Sequence, residues 1–182
     1  MSKALKDTNI SSVIKRRKYN LAVKEGYISL LMRIIILAIA GYIIFTQVFL
    51  IMQNHGLGMF PAVKDGDLVL AYRLQKDYIK DDVVVYRNGD VLCVGRIVAR
   101  ENDVVAIDDS GTLTVSGTPQ SGEIMYPTYA KEGIEYPYRI PEKCVFILGD
   151  YRTEAKDSRD YGAIPIDDIE GKVITLLRRR GI

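Results

Sequence analysis

Tryptophan is absent from this chain of 182 residues, histidine occurs once, at His55, and cysteine occurs twice, at Cys93 and Cys144. Each scarcity removes a class of chemistry. One histidine and two widely separated cysteines do not make a zinc or other thiolate and imidazole centre, so no metal and no cofactor is expected. Two cysteines would allow one bridge in an oxidising compartment, but nothing in their spacing says whether Cys93 and Cys144 approach each other. Two small buried hydrophobes are the simpler reading. Net charge is also scarce, with 25 Lys and Arg against 23 Asp and Glu. The balance hides an asymmetry. Residues 1–33 hold eight Lys or Arg against Asp7 and Glu25, which leaves the remainder of the chain acidic. Arg16, Arg17 and Lys18 have no interleaved aromatics and precede an apolar run, a pattern that suits a membrane surface and gives no reason to expect nucleic acid.

The apolar run is the longest feature present. Ile34 to Met52 are nineteen residues without a charge, preceded by Arg33. At 1.5 Å per residue such a helix covers roughly 28 Å, about one hydrocarbon core. Phe49, Leu50, Ile51 and Met52 do not provide the small-residue site of a cleaved signal peptide, so the segment is expected to stay attached. The basic residues then place residues 1–28 in the cytoplasm, a transmembrane helix at 29–53, and residues 54–182 outside the cell membrane. Ile14 to Tyr27 also suits a short interfacial helix.

Beyond residue 54 the period changes. Short apolar runs, Leu68 to Tyr72, Val83 to Tyr86, Val91 to Ala99, Val104 to Ile107, Thr112 to Val115, Cys144 to Leu148 and Gly171 to Leu177, alternate with turns such as Asn88-Gly89-Asp90 and Asp109-Ser110-Gly111. An Asn-Gly pair between apolar runs is a strong hairpin signal. No helical period appears, and the expected fold class is an all-β domain behind one N-terminal transmembrane helix. Residues 118–143, with Pro119, Pro127, Pro137 and Pro141 among several Tyr, read as a long irregular excursion, and Arg178 to Arg180 as a basic end.

One local stretch is unlike an ordinary turn. After Leu148 come Gly149, Asp150, Tyr151 and Arg152, then Ala155, then Asp157, Ser158 and Arg159, and a closing Gly162. Three Asp and two Arg in one loop suit a framework fixed by bidentate pairing. The spacing resembles the last sequence box of the type I signal peptidases. Two positions depart from that pattern: Tyr151 stands where the family has Asn, and Ala155 where it has the Ser that positions the catalytic lysine. The nucleophile box of the same family is matched by Met59, Pro61, Gly66 and Asp67, with Gly58 at the serine position. The lysine box is matched by Arg96, Ile97, Val98 and Asp103, with Gly95 at the lysine position and Asn102, a residue tolerant of left-handed backbone, in the turn.

A serine–lysine protease needs a hydroxyl to attack the carbonyl and a neutral amine to accept its proton. Gly58, Gly95 and Ala155 supply none of the three groups, whereas Gly66, Asp67, Arg96, Asp150, Arg152, Asp157, Ser158 and Arg159 keep the framework. Cys93 shares a strand face with position 95, but it has no evident base, since His55 lies at the membrane end. Lys64 reads as solvated and Ser158 as structural. The pattern is similar to the signal-peptidase-like proteins of some Gram-positive pilus clusters, which implies a non-enzymatic, membrane-anchored factor that binds a secreted pilin-like subunit and works with a sortase. The alternative is a signal peptidase with unidentified catalytic groups. In the first reading Met59, Phe60 and Pro61 form the apolar lip of a groove whose floor the two glycines leave empty.

Overall fold

The computed structural model describes residues 2–120 and 126–178, with side chains from Lys15 onward, Ala22 excepted. Part of the 118–143 excursion and residues 179–180 of the basic end therefore lie outside the described residues. The chain divides into two units, Met1–Thr46 and Gln47–Ile182.

The first unit is helical. Helix α1 runs Ser2–Val48, and its Lys15–Val48 part is long and apolar enough to cross a membrane. The expected membrane segment is too long at its C-terminal end. Phe49–Gln53 is not helical but forms strand β1, pairing antiparallel with β2, Leu68–Tyr72, from Phe49 opposite Tyr72 to Gln53 opposite Leu68. Apolar content alone did not separate the two conformations, because β1 buries part of its surface against a sheet: Leu50 and Met52 pack on a core that alternation between Ile51 and Met52 already reflects.

The regular structure of the second unit is almost wholly antiparallel strand. After β2 come β3 (Val83–Asn88), β4 (Val91–Ala99), β5 (Val104–Ile107), β6 (Leu113–Val115), β7 (Thr118–Pro119), β8 (Tyr138–Arg139), β9 (Cys144–Leu148), a short helix α2 (Ser158–Tyr161), β10 (Ile164–Pro165), a single 3₁₀ turn at Ile166–Asp168, and β11 (Ile169–Leu177). One sheet has the order β1-β2-β11-β3-β4-β9-β10 and a smaller one β7-β6-β5-β8. The expected hairpin is present, with Asn88 opposite Val91 and Gly89 at φ 60° in the turn. Asn102 adopts φ 68°, as expected for a shape-preserving residue at that turn. Cys93 and Cys144 are both free thiols.

Three apolar clusters fill this unit. Tyr86, Ile97, Ile147 and Ile169 centre one, Phe146, Leu148, Val105 and Ile140 a second between the sheets, and Met59, Val63, Val69, Ala71 and Val85 a third under β1, β2 and β11. The central strands are pinned at their exposed side by Glu170, which accepts from Arg73, just after β2, at 2.7 Å and from Arg87 of β3. The Arg87 hydrogen bond, with the Arg73 charge beside it, holds the Glu170 carboxyl below its usual range. A carboxylate depressed in the folded state adds stability that is present at neutral pH and disappears as pH falls through its folded value. Glu170→Gln is therefore expected to lower stability by about 1 kcal/mol at pH 7, and the difference from wild type to shrink as pH drops below 4.5. Urea unfolding of the detergent-solubilised protein at pH 7 and at acid pH measures both.

Candidate functional site

The loop that follows β9 is built around Asp157. Its side chain caps α2, accepting from the Arg159 backbone at 3.1 Å, and it accepts from the Gly149 backbone at 3.1 Å. Arg159 adds a bidentate pair, with Nε at 2.9 Å and Nη2 at 2.8 Å from the two Asp157 oxygens. Both residues are 1% exposed. The remaining Arg159 donors reach the carbonyls of Arg152 at 2.6 Å and Tyr129 at 3.2 Å, so the buried charge is fully engaged. The Ser158 hydroxyl accepts from the Ile147 backbone at 3.0 Å and ties α2 to β9. Asp160 closes a capping box by accepting from the Asp157 backbone at 2.8 Å.

Asp150 belongs to a second bidentate pair. Arg96 Nε and Nη2 donate to its two oxygens at 2.8 and 2.7 Å, while Arg96 Nη1 donates to the Asp81 carbonyl at 3.0 Å. The lysine-box strand and the last loop are thus fixed to each other. Arg152 differs. It is buried beside Thr128 Oγ1 at 2.8 Å and Gln120, its Nε has no partner, and burial pushes it down to about 10. The carboxylates of Asp150 and Asp157 are already occupied, so Arg152 serves to fasten the excursion to the loop through neutral acceptors.

The nucleophile-box turn closes on itself. The Asp67 side chain accepts from the Lys64 backbone at 3.0 Å, Gly66 sits at φ 83°, and Asn54 Nδ2 donates to the carbonyls of Gly56 and Lys64. Tyr151 N–H donates to the Gly58 carbonyl at 3.0 Å, joining this turn to the last loop. Gly58, Gly149 and Ala155 consequently meet. A β-carbon at 58 would lie 3.6 Å from the Ala155 methyl, an ordinary contact, whereas one at 149 would lie 2.3 Å from it and 2.4 Å from the Gly58 carbonyl oxygen. Position 149 must be glycine, and position 58 has room for a side chain.

Position 95 is a different case, and it corrects the expectation of an empty floor. A β-carbon there would lie 2.4 Å from Ile147 Cγ2 and 3.1 Å from Tyr86 Cε1. The space beside Gly95 is filled from β9 and β3 by two buried side chains. Tyr86 is held by its hydroxyl, 2.5 Å from that of Tyr161, and burial together with that neighbour pushes its phenol up. Met59 also departs from expectation. It is 2% exposed and packs in the core with Val63 and Val69, so of the proposed lip only Phe60 and Pro61 remain near the surface. Phe60 instead begins an aromatic row, 6.2 Å from Tyr151, which is in turn 4.5 Å from Tyr126.

Chemical groups near the site are few among the described residues. Burial pushes the Cys93 thiol up, the opposite of what a thiolate nucleophile needs. Lys131, which the sequence reading passed over, donates from Nζ to the Ala155 carbonyl at 2.5 Å and pairs with Asp160 at 2.7 Å. No local spacing announced it, because the contact joins residues 24 positions apart.

Comparison with known proteins follows the same outline. The family model described as signal peptidase, peptidase S26, matches residues 27–177. A probable thylakoidal processing peptidase 2 of Arabidopsis thaliana is 32% identical over 132 residues, 64% of this chain and 34% of that protein. Signal peptidase I of Bacillus caldolyticus is 28% identical over 135 residues, 65% of this chain and 74% of its own. A signal peptidase I structure from Enterococcus faecalis V583 aligns with a TM-score of 0.45 at 24% identity, over 54% of this chain and 97% of that one. The chain thus spans about a third of the length of the plant relative.

The packing at position 95 yields a direct expectation. Gly95→Ala should destabilise the protein by about 1–3 kcal/mol through overpacking. Combined with Ile147→Ala, which opens the space, the two changes should be non-additive, the double variant being more stable than the sum of single effects implies. Chemical denaturation of the four proteins of the cycle checks this, and strict additivity would show that Ile147 does not occupy the space beside Gly95.

Proposed function

Because the chain belongs to the S26 signal peptidase family, we propose that it keeps the family scaffold as a membrane-anchored binding factor without peptidase activity. What supports this reading is glycine at both 58 and 95, which the resemblance aligns with the nucleophile and the base, together with Ile147 and Tyr86 packed against the place of a β-carbon at 95. Removing both groups of an acid–base and nucleophile pair leaves at most the contribution of binding to rate. The framework ion pairs Arg96–Asp150 and Arg159–Asp157 are complete, so the surface around Gly58 is pre-organised for a ligand.

In this proposal the N-terminal residues are cytoplasmic and the β domain extracytoplasmic, and the ligand is an extended segment of a secreted pilin-like subunit, presented to a sortase. The segment lies beside Gly58, with Phe60, Tyr151 and Tyr126 along its edge. A second reading, a signal peptidase with other catalytic groups, is favoured by the names of the relatives, which are peptidases.

Two experiments separate these readings. Purified full-length protein should give no more product from a signal-peptide substrate than a protein-free control. Product above control that disappears in Cys93→Ala would support the peptidase reading. Gly58→Trp, at a position where a β-carbon makes only ordinary contacts and with folding checked by circular dichroism, should abolish subunit binding or polymerisation. A folded Gly58→Trp protein with full assembly activity would remove the binding surface from this site.

A further inference from the structure

The N-terminal part of α1 carries a pattern that the β domain does not use. Lys15, Arg16, Arg17 and Lys18 are consecutive and exposed, Lys24 and Arg33 follow, and Glu25 is the one carboxylate between Lys15 and Arg33. On a helix, residues three and four apart share a face. Tyr19, Val23 and Tyr27 therefore form one row, which Leu30 and Leu31 continue toward the apolar part, and Lys15 and Arg16 extend it at the other end. Every member is exposed, Tyr19 at 70% and Tyr27 at 65%.

The end of the helix sets the depth of these residues. Because α1 stops at Val48, about 20 residues counted back from there are needed to cover a hydrocarbon core of roughly 30 Å. The apolar length then begins near Ser29. Arg33 falls inside it, about one turn from its edge, where a long side chain can snorkel outward. Tyr27 and Lys24 fall within the polar layer, which extends about 5–8 Å beyond the hydrocarbon. Tyrosine at that depth and cations just beyond it match the two parts of a lipid headgroup region. Lys15 to Lys18 lie roughly 10 Å further out, within reach of long side chains and about one screening length of a charged surface, and nearer when the helix tilts.

We propose that Lys15, Arg16, Arg17, Lys18 and Lys24, with the Tyr19–Val23–Tyr27 row, form a binding site for anionic lipid headgroups, so that the protein gathers phosphatidylglycerol-type lipids around its anchor. The five cations sit on the helix that enters the bilayer, which brings the headgroups of that same leaflet to them. Between Lys15 and Arg33 a single carboxylate, Glu25, opposes the attraction. The site is independent of what the β domain binds.

Lipid retention tests it. Full-length protein is reconstituted in membranes of phosphatidylcholine with one fifth phosphatidylglycerol, released in polymer-bounded discs, and its co-purifying lipids are quantified by mass spectrometry. Wild type is expected to retain phosphatidylglycerol at about twice its bulk fraction, with the enrichment falling at high salt. The variant K15Q/R16Q/R17Q/K18Q/K24Q should return to the bulk fraction while remaining membrane-inserted by carbonate extraction. Wild type at the bulk fraction would overturn the proposal. So would enrichment unchanged in the five-fold variant, because Arg33 or the β domain would then be its source.

Discussion

A buried carboxylate and a buried guanidinium, Asp157 and Arg159, hold the second unit together where three chain segments converge. An ion pair this deeply buried survives only when the remaining donors and acceptors are satisfied. Here they are satisfied by elements from elsewhere: the Gly149 backbone at the end of β9, the Arg152 carbonyl within the loop, and the Tyr129 carbonyl of the excursion. The pair thereby fixes Gly149 against Ala155 and, through Tyr151, fixes the turn that carries Gly58. Arg96 and Asp150 extend the same arrangement to β4. A scaffold of this kind positions whatever occupies positions 58, 95 and 155, and it does so without reference to chemistry at those positions.

Gly58 and Gly95 have unlike surroundings. Next to Gly58 there is space, and its nearest neighbour is the Ala155 side chain at normal contact distance. Next to Gly95 there is none, because Ile147 and Tyr86 have closed over it and Tyr86 is anchored through Tyr161. Close packing makes the second site costly to reopen, since interiors tolerate extra volume poorly. The contrast explains why a surface role remains open to the region around Gly58 while a buried amine at 95 would need its neighbours to move. The aromatic row Phe60, Tyr151 and Tyr126 borders the open side.

Most of the sheet and the motif loops were legible in the sequence because their signals are local. Apolar runs bounded by Gly, Asn and Asp give β2 to β6, β9 and β11 to within a few residues, and the three Asp and two Arg of the last loop already suggest carboxylate–guanidinium pairing of the kind Asp150 and Asp157 make. What escaped was set by contacts distant in sequence. Phe49–Gln53 continued the apolar run of α1, and only its pairing with β2 makes it a strand. Met59 read as an exposed lip because a turn residue beside a proline gives no sign of the cluster beneath it. Ile147 was recognised as a buried strand residue, but that its methyl group occupies the space beside Gly95 depends on the β4–β9 register. Lys131 lay in the excursion, where no period or motif placed it, and its anchor is the Ala155 carbonyl.

The dependence of the site on its buried ion pair is open to one direct measurement, hydrogen exchange combined with denaturant unfolding of Asp157→Ala. Removing one partner strands the Arg159 charge and should cost about 3–5 kcal/mol, and it frees the amide of Gly149, which donates to Asp157. The amides of Gly149 and of Ile147, which donates to Ser158, should then lose protection well before the central strands do. A variant less stable by under about 1 kcal/mol, the range of an exposed pair, with both amides still protected, would contradict the account.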